Sequence, residues 1–344
     1  MPETPPSPEI AILVLNYNGR RFLEECLRSV LQDRSCPAET YLIDNRSTDD
    51  SVEFTRTRFP GVKIIQHEAN LGYAGAYDRV IRTLKHRYVV LLNNDTAVAP
   101  GWLGALLGPA VADPRVGACG AKIVMWHNPQ VLDHGGGLLT IIGSGRDLGK
   151  WQKDAGQDED VKDAGFASGC SLLVRRSAYL EVGGFDPDYF MYHEDVDLCW
   201  RLHLAGYAVK YVPGAVVRHH LGGGGGQGQE NPAMVYRCQK NRLANMIKNL
   251  GPGSLGAGLG ISAVYDGFRV LRFLALGKVD LVKVLLRGYA DTLRQGRVLL
   301  KQRRRVQKAR TVSEAELRPF FSQVSAAARD YLRLLRVKGG LEHR

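Results

Sequence analysis

The chain lacks most of the signatures that would classify it at once. Its six cysteines, at positions 26, 36, 119, 170, 199 and 238, are scattered with no C-x-x-C pair. That spacing argues against a zinc site and a disulfide framework, and it fits a reducing cytosol. No G-x-G-x-x-G follows the first apolar run and G-x-x-x-x-G-K-[ST] occurs nowhere, which disfavours a redox dinucleotide fold and a P-loop enzyme. Met1 to Glu9 is proline-rich and polar without an apolar h-region. It reads as a disordered N-terminus over 1–9 and not as a secretory signal. Leu255 to Leu276 is apolar, but Asp266, Arg269 and Arg272 interrupt it, so the roughly eighteen clean residues of a spanning helix are missing. No nucleic-acid module is visible, and nucleic acid is not an expected partner.

What is present is unevenly charged. From Arg237 to Arg344 there are 23 Lys and Arg against 7 Asp and Glu, whereas the preceding residues are mildly acidic. At 344 residues the chain suits one large α/β unit with an appendage. The expected division is a catalytic body over 10–245, with a nucleotide-binding half over 10–96 and an acceptor half over 97–245, followed by a basic helical extension over 246–344.

The N-terminal part alternates strand and helix patterns. Ile10 to Leu15, Thr40 to Ile43, Val62 to Ile65 and Tyr88 to Leu92 are apolar runs, and Arg20 to Leu31, Ser51 to Arg58 and Gly75 to Leu84 have helical spacing between them. Such alternation predicts right-handed crossovers and a mostly parallel, Rossmann-like sheet with flanking helices. Each run leads into a polar loop: Asn16-Tyr17-Asn18, Asp44 to Asp49, Asn70-Leu71-Gly72 and Asn93-Asn94-Asp95. Ligands of open α/β sheets bind beyond the carboxyl ends of the strands, so four such loops on one edge make a site. Tyr17 suits stacking on a flat ring, and Asp44 suits a base N–H or a sugar hydroxyl. Turn formation and helix capping explain the same residue types equally well. Asp95 is a hard oxygen ligand fit for Mg²⁺ or Mn²⁺ shared with a diphosphate.

A second cluster, His193-Glu194-Asp195-Val196-Asp197, puts four ionisable groups in five positions at a helix start, just after Gly183-Gly184-Phe185-Asp186. The helix dipole favours carboxylates there, yet capping explains one of them and not three. Leu221 to Gly228 holds six glycines in eight positions, which reads either as a linker or as a lid over a diphosphate. Gly143 to Asp163 is polar, charged and irregular in pattern, and is expected to border an acceptor pocket.

Asn16-Tyr17-Asn18, Asp44-Asn45-x-Ser47-x-Asp49, Asn70-x-Gly72, Asn93-Asn94-Asp95, Gly183-Gly184-Phe185-Asp186 and Glu194-Asp195-x-Asp197-Leu198-x-x-Arg201 together resemble the family 2 glycosyltransferases of GT-A fold, especially their rhamnosyltransferase-like branch. The match runs from about Ile10 to His220, in order and with the right spacing. The resemblance implies that Asn16, Tyr17, Asp44, Asn70, Gly72 and Asn94 hold a nucleotide-sugar. It implies that Asp95 binds the divalent metal, with His219 or its neighbour His220 completing the metal or diphosphate contacts. Asp195 would be the catalytic base, with Glu194 orienting it or the acceptor. Asn93 and Asn94 depart from the usual acidic metal motif and leave one charged ligand. The implied activity is inverting transfer to a hydroxyl of a glycan or lipid-linked acceptor in cell-envelope assembly. The rival functions are an inactive sugar-binding scaffold of this fold and a nucleotidyltransferase.

In the tail, Lys283, Arg287, Arg294, Arg297, Lys301, Arg305 and Lys308 recur near multiples of 3.6, opposite Leu285, Leu286, Tyr289, Leu293 and Leu300. That pattern predicts one basic amphipathic helix. It either packs on the catalytic body with a solvated basic face or lies on an anionic membrane leaflet, the second being favoured because lipid-linked acceptors sit there. The expected location is cytoplasmic, peripheral at the inner face of the cell membrane.

Overall fold

A computed structural model describes residues 9–156, 159–220 and 231–323. The expected N-terminal disorder and the glycine-rich stretch after His220 fall outside the described residues, apart from Glu9. The first half is built from β1 (Ile10–Asn16), α1 (Arg20–Gln32), β2 (Glu39–Asp44), α2 (Ser51–Arg58), β3 (Lys63–Gln66), α3 (Gly72–Thr83) and β4 (Tyr88–Asn93). Then come β5 (Thr96–Val98), α4 (Trp102–Ala112), β6 (Val116–Met125), β7 (Leu132–His134), β8 (Gly137–Leu139), β9 (Gly145–Asp147), β10 (Lys162–Asp163) and β11 (Ser171–Arg175). They are followed by α5 (Arg176–Glu181), α6 (Glu194–Leu204) and β12 (Ala208–His219). Four longer helices and a short turn complete the described chain: α7 (Pro232–Asn249), α8 (Pro252–Ala275), α9 (Val279–Arg294), α10 (Gly296–Ala309) and α11 (Glu314–Leu317).

The main sheet has the order β10-β12-β6-β11-β4-β1-β2-β3, with β5 paired to β12 and β7 to β6. Strands β3, β2, β1 and β4 run parallel, and β11 enters antiparallel between β4 and β6. Both faces of the sheet are covered, which explains why its strands read as continuous apolar runs. Along β1, Ala11 and Leu13 enter a core cluster with Tyr77 of α3 and Leu198 of α6, whereas Ile10, Ile12 and Val14 enter another with Leu23 of α1 and Trp102 of α4. The alternation is that of a pleated strand, whose successive side chains point to opposite faces.

This topology sets the site. In register, Asn16 stands beside Asp44, and Leu15 beside Asn93. The loops after β1, β2, β3 and β4 therefore leave from one edge, as the alternating pattern predicts. Because β11 is antiparallel to β4, its beginning rather than its end lies on that edge, and the Asn93 amide donates to the Cys170 carbonyl at 3.0 Å.

The tail differs from the sequence expectation. The basic segment over 283–308 is two helices, α9 and α10, meeting at Gln295. Glycine is a poor helix former, and Gly296 marks the break. The apolar set is also divided: Leu285 is buried, while Leu286, Leu293 and Leu300 are exposed. Periodicity selects one face of a helix but cannot say which apolar residues on it find a partner.

Candidate active site

The loops after β1 to β4 are tied together by short side-chain amides. Asn16, fully buried, donates through Nδ2 to Ser47 Oγ at 3.0 Å and to Asp44 Oδ1 at 3.4 Å, and accepts from Asn94 Nδ2 at 2.7 Å. Asn45 Nδ2 donates to Asn70 Oδ1 at 2.9 Å, and its own Oδ1 accepts from the Leu71 amide. Asp44 is buried, with Oδ2 accepting the Ser47 amide at 3.2 Å, and Tyr17 is half exposed above this floor. Much of the polar capacity of Asn16, Asn70 and Asn94 thus shapes the pocket itself.

Two glycines carry the close approaches here. Gly72 has φ +69, and a Cβ there would lie 2.3 Å from the Phe190 carbonyl oxygen. Gly19, which the motif reading passed over, would place a Cβ 1.9 Å from Asn94 Nδ2. It must stay side-chain-free for Asn16 and Asn94 to meet.

Asp95 and Thr96 are buried at the start of β5, whose pairing with the end of β12 brings His219 opposite Thr96. His219 Nε2 lies 3.3 Å from Asp95 Oδ1, and His219 Nδ1 lies 2.9 Å from Asp133 Oδ2. His220 turns away and stacks on Trp126 with centroids 3.6 Å apart. Burial opposes a charged imidazole, yet Cys170, Asp133 and Asp95 around the ring raise His219 well above its ordinary value. Holding a metal would require the neutral ring, with Nδ1–H donated to Asp133 and the Nε2 lone pair facing Asp95. Two donors of one small divalent cation at about 2.1 Å and at right angles stand about 3 Å apart, close to the observed separation. Among the described residues no group of three or more His, Cys, Asp or Glu is arranged to hold a metal ion. The chain offers two donors, which suits a hard cation completed by substrate oxygens and water.

From Asp133 a chain of ion pairs runs on, buried at Asp133 and His134 and half-buried at Lys150 and Asp147. Lys150 Nζ contacts Asp133 Oδ1 at 3.0 Å and Asp147 Oδ2 at 3.4 Å, and Asp147 Oδ1 meets His134 Nδ1 at 2.8 Å. The stretch read from its polarity as a border of the site supplies β9, Asp147 and Lys150. The β7 residues Asp133 and His134 escaped sequence reading; alternation in a three-residue strand is too short to signal.

Asp195 is half-buried, and both of its oxygens accept main-chain amides, Oδ2 from Gly169 at 2.9 Å and Oδ1 from Val196 at 2.8 Å. Burial raises its carboxyl above the usual carboxylate range. Glu194 beside it is buried, and its Oε2 has no hydrogen-bond partner among the described residues. Burial first, then the neighbouring Asp195, push the Glu194 carboxyl far up, toward the neutral acid. Asp197 has a different task. Arg201 donates to its Oδ2 through Nε at 2.9 Å and Nη2 at 2.7 Å, while Lys248 Nζ at 3.0 Å and Asn249 Nδ2 at 3.0 Å meet its Oδ1. The third carboxylate of the cluster is thus the anchor of a buried ion network.

The turn before α6 is backbone-strained, with Phe190, Tyr192 and His193 all at positive φ, and it is fastened from outside. The Asn241 amide of α7 donates to the Tyr189 carbonyl at 3.0 Å, Met191 at 3.0 Å and Tyr192 at 2.7 Å. Asn245, Lys248 and Asn249 of the same helix reach Gly143, Asp186 and Asp197. No sequence signal marked this helix as the clamp of the acceptor-side loop.

Residues 11–183 match the model of the family described as Glycosyl transferase family 2. The chain is 34% identical over 234 residues to the N-acetylglucosaminyl-diphospho-decaprenol L-rhamnosyltransferase of Mycobacterium tuberculosis, covering 61% of this chain and 76% of that protein. Among solved structures, GalNAc-T7 with UDP, GalNAc and Mn²⁺ is similar at TM-score 0.58 and 18% identity, over 71% of this chain and 48% of that one. The mannosyltransferase PcManGT from Pyrobaculum calidifontis, in complex with GDP-Man and Mn²⁺, is similar at TM-score 0.52 and 18% identity, over 88% and 86% of the two chains. At such identities the structures speak for the GT-A fold alone. The family match and the mycobacterial relative go further: the chain belongs to glycosyl transferase family 2 and is a glycosyltransferase.

Proposed function

We propose that the enzyme transfers a sugar from a nucleotide-sugar to a hydroxyl of a glycan or lipid-linked acceptor, with inversion and with Asp195 as the general base. The observation that carries this reading is the Gly169-Cys170 seam. The Cys170 carbonyl receives the Asn93 amide at the end of β4, and the Gly169 amide next to it grips Asp195, so Asp95 and Asp195 belong to one edge. The relatives support the substrate classes: the mycobacterial enzyme is named for an N-acetylglucosaminyl-diphospho-decaprenol acceptor, and the structural neighbours were solved with UDP or GDP-Man.

In this reading Asn16, Tyr17, Asp44, Asn70, Gly72 and Asn94 form the donor pocket, Tyr17 stacking on the base and Asp44 accepting from base or ribose. Asp95 and His219 would hold Mg²⁺ or Mn²⁺, which when bound offsets the charge gathering on the departing diphosphate. Asp195 takes the proton of the acceptor hydroxyl as the oxygen attacks the anomeric carbon. The bond to the diphosphate breaks on the opposite face and its electron pair leaves with the diphosphate. The raised proton affinity of Asp195 suits a base, provided it is ionised at working pH. Glu194, its proton affinity raised by burial, orients Asp195 or the acceptor. Residues 10–245 form the catalytic body, and the basic extension over 246–344 keeps the enzyme peripheral at the inner face of the membrane, for cell-envelope assembly.

Asp195→Asn is expected to lower transfer by roughly a hundredfold or more while leaving the thermal shift caused by nucleotide-sugar with Mn²⁺ intact. Retained turnover would remove Asp195 from this role, and the lack of any donor-induced shift in the parent enzyme would sink the nucleotide-sugar reading.

A further inference from the structure

We infer that the outer face of α8, continued by one stripe of α9, lies in the plane of an anionic lipid surface. The inference rests on the lipid-linked acceptor reading for its purpose and on the helix itself for its evidence. A helix on a water-soluble body turns its apolar side inward and its polar side to solvent. Helix α8 departs from this pattern. It buries Phe273 and Gly258 but also the polar Ser262 and Asp266, and Asp266 accepts from Gln239 and Tyr289 while pairing with Arg242 and Arg269. Its exposed positions include Leu259, Val264, Phe268, Leu271 and Leu274, with Phe268 66% and Leu271 64% exposed. Gly256, Ala257, Gly260, Ala263 and Gly267 fill the spaces between them, so none of the exposed positions of the helix is charged, and its cations Arg269 and Arg272 are partly buried. Monomers rarely leave so long an apolar strip to water.

Helix α9 continues the strip. Val279, Leu286 and Leu293 are exposed and seven residues apart, two full turns of helix each time. The exposed basic groups Lys278, Lys283, Arg287 and Arg294 flank them, Lys283 pairing with Asp280 and both Arg287 and Arg294 with Asp291, followed by Arg297 and Lys301 on α10. Apolar surface rimmed by Lys and Arg matches a bilayer interface, with apolar side chains among the acyl chains and cations at anionic headgroups. Two other occupants fit less well. A second copy on a two-fold axis would set the same patch against itself, basic rim facing basic rim. A spanning arrangement is excluded for α8 by its fixed polar side, and no described helix is long and apolar enough to cross a membrane.

The test is flotation of the full chain with vesicles of phosphatidylcholine alone or mixed with phosphatidylglycerol, beside a donor thermal shift and a sizing run. The parent should float with the mixed vesicles and far less with the neutral ones. Phe268→Asp with Leu271→Asp should weaken that binding by roughly tenfold or more, with an unchanged melting curve and donor shift. Lys278→Glu with Lys301→Glu leaves the apolar face intact and should weaken flotation and flatten its salt dependence. Failure of the parent to float, equal flotation with neutral vesicles, or undiminished flotation of the Phe268/Leu271 variant would overturn the inference. So would a dimer that this variant splits without any vesicle binding by the parent. The donor shift reads the transferase independently, so a failure there is distinguishable from a failure here.

Discussion

The proposed donor edge and the proposed acceptor-side turn solve the same problem, holding polar groups in place at a sheet margin, by different means. On the donor edge each loop follows its strand directly, and the fastening passes between neighbouring loops: Asn16 to Ser47 and Asn94, Asn45 to Asn70. On the acceptor side the turn over 189–193 holds three non-glycine residues at positive φ, each costing about 1–3 kcal/mol, and its clamp lies some fifty residues further along the chain in α7. Fastening shared among several loops survives the loss of one bond. Fastening by a single helix concentrates the load on a few side chains.

The most damaging change should therefore fall in the clamp. Lys248 is buried with Nζ between Asp186 Oδ2 at 2.9 Å and Asp197 Oδ1 at 3.0 Å. Removing it leaves Asp186 without its ion pair and Asp197 with Arg201 as its remaining cation, and Lys248→Ala should cost about 3 kcal/mol in chemical denaturation. A loss under about 1 kcal/mol would mean that the network is not shared in this way. Next, Asn241→Ala leaves three carbonyls of the turn without their donor, and about 1–3 kcal/mol of stability should go with it. The sharper reading is kinetic: turnover should fall while donor affinity holds, and a parallel loss of both would erase the contrast between the two regions.

Much of the contrast is also a contrast in legibility. Strands β1 to β4, their helices and the loop residues Asn16, Asp44, Asn70 and Asp95 are local facts, written as apolar runs ending in polar clusters. The choice of His219 over His220 toward Asp95 follows the pairing of β12 with β5, a contact between distant segments that composition does not encode. Asp133 and His134 are equally silent, because a three-residue strand has no period. Asp197 was visible as a carboxylate at a helix start, but its partner Lys248 lies on an element with no motif. The exposed side of α8 was readable as apolar and unreadable as outward-facing, since the burial of Asp266 depends on Arg242 and Tyr289 coming from two other helices.

A milder perturbation probes the donor side. Gly19→Ala forces its methyl group into the Asn16–Asn94 contact, and its cost should be about 1 kcal/mol, read as weaker donor binding with turnover little changed. Unaltered donor affinity would show that the amide pair is not part of the pocket. The smallest effect expected is a displacement on the pH axis. Burial raises the Asp195 carboxyl, and the base works only when ionised, so activity should fall on acidification through a midpoint above that of an ordinary aspartate. An acid limb at or below the ordinary position would separate Asp195 from proton transfer.

Tyr73, near the start of α3, makes the two regions one mechanical part. Its main-chain amide donates to the Phe190 carbonyl, and its hydroxyl donates to the Gly169 carbonyl at 2.6 Å. One residue thus pins the turn that leads to Asp195, the proposed base, and Gly169, whose amide holds it, while belonging to the helix whose first residue, Gly72, is assigned to the proposed donor pocket. If α3 tilts, the grip on Asp195 tilts with it, so Tyr73 is the point at which two otherwise separately fastened regions are coupled.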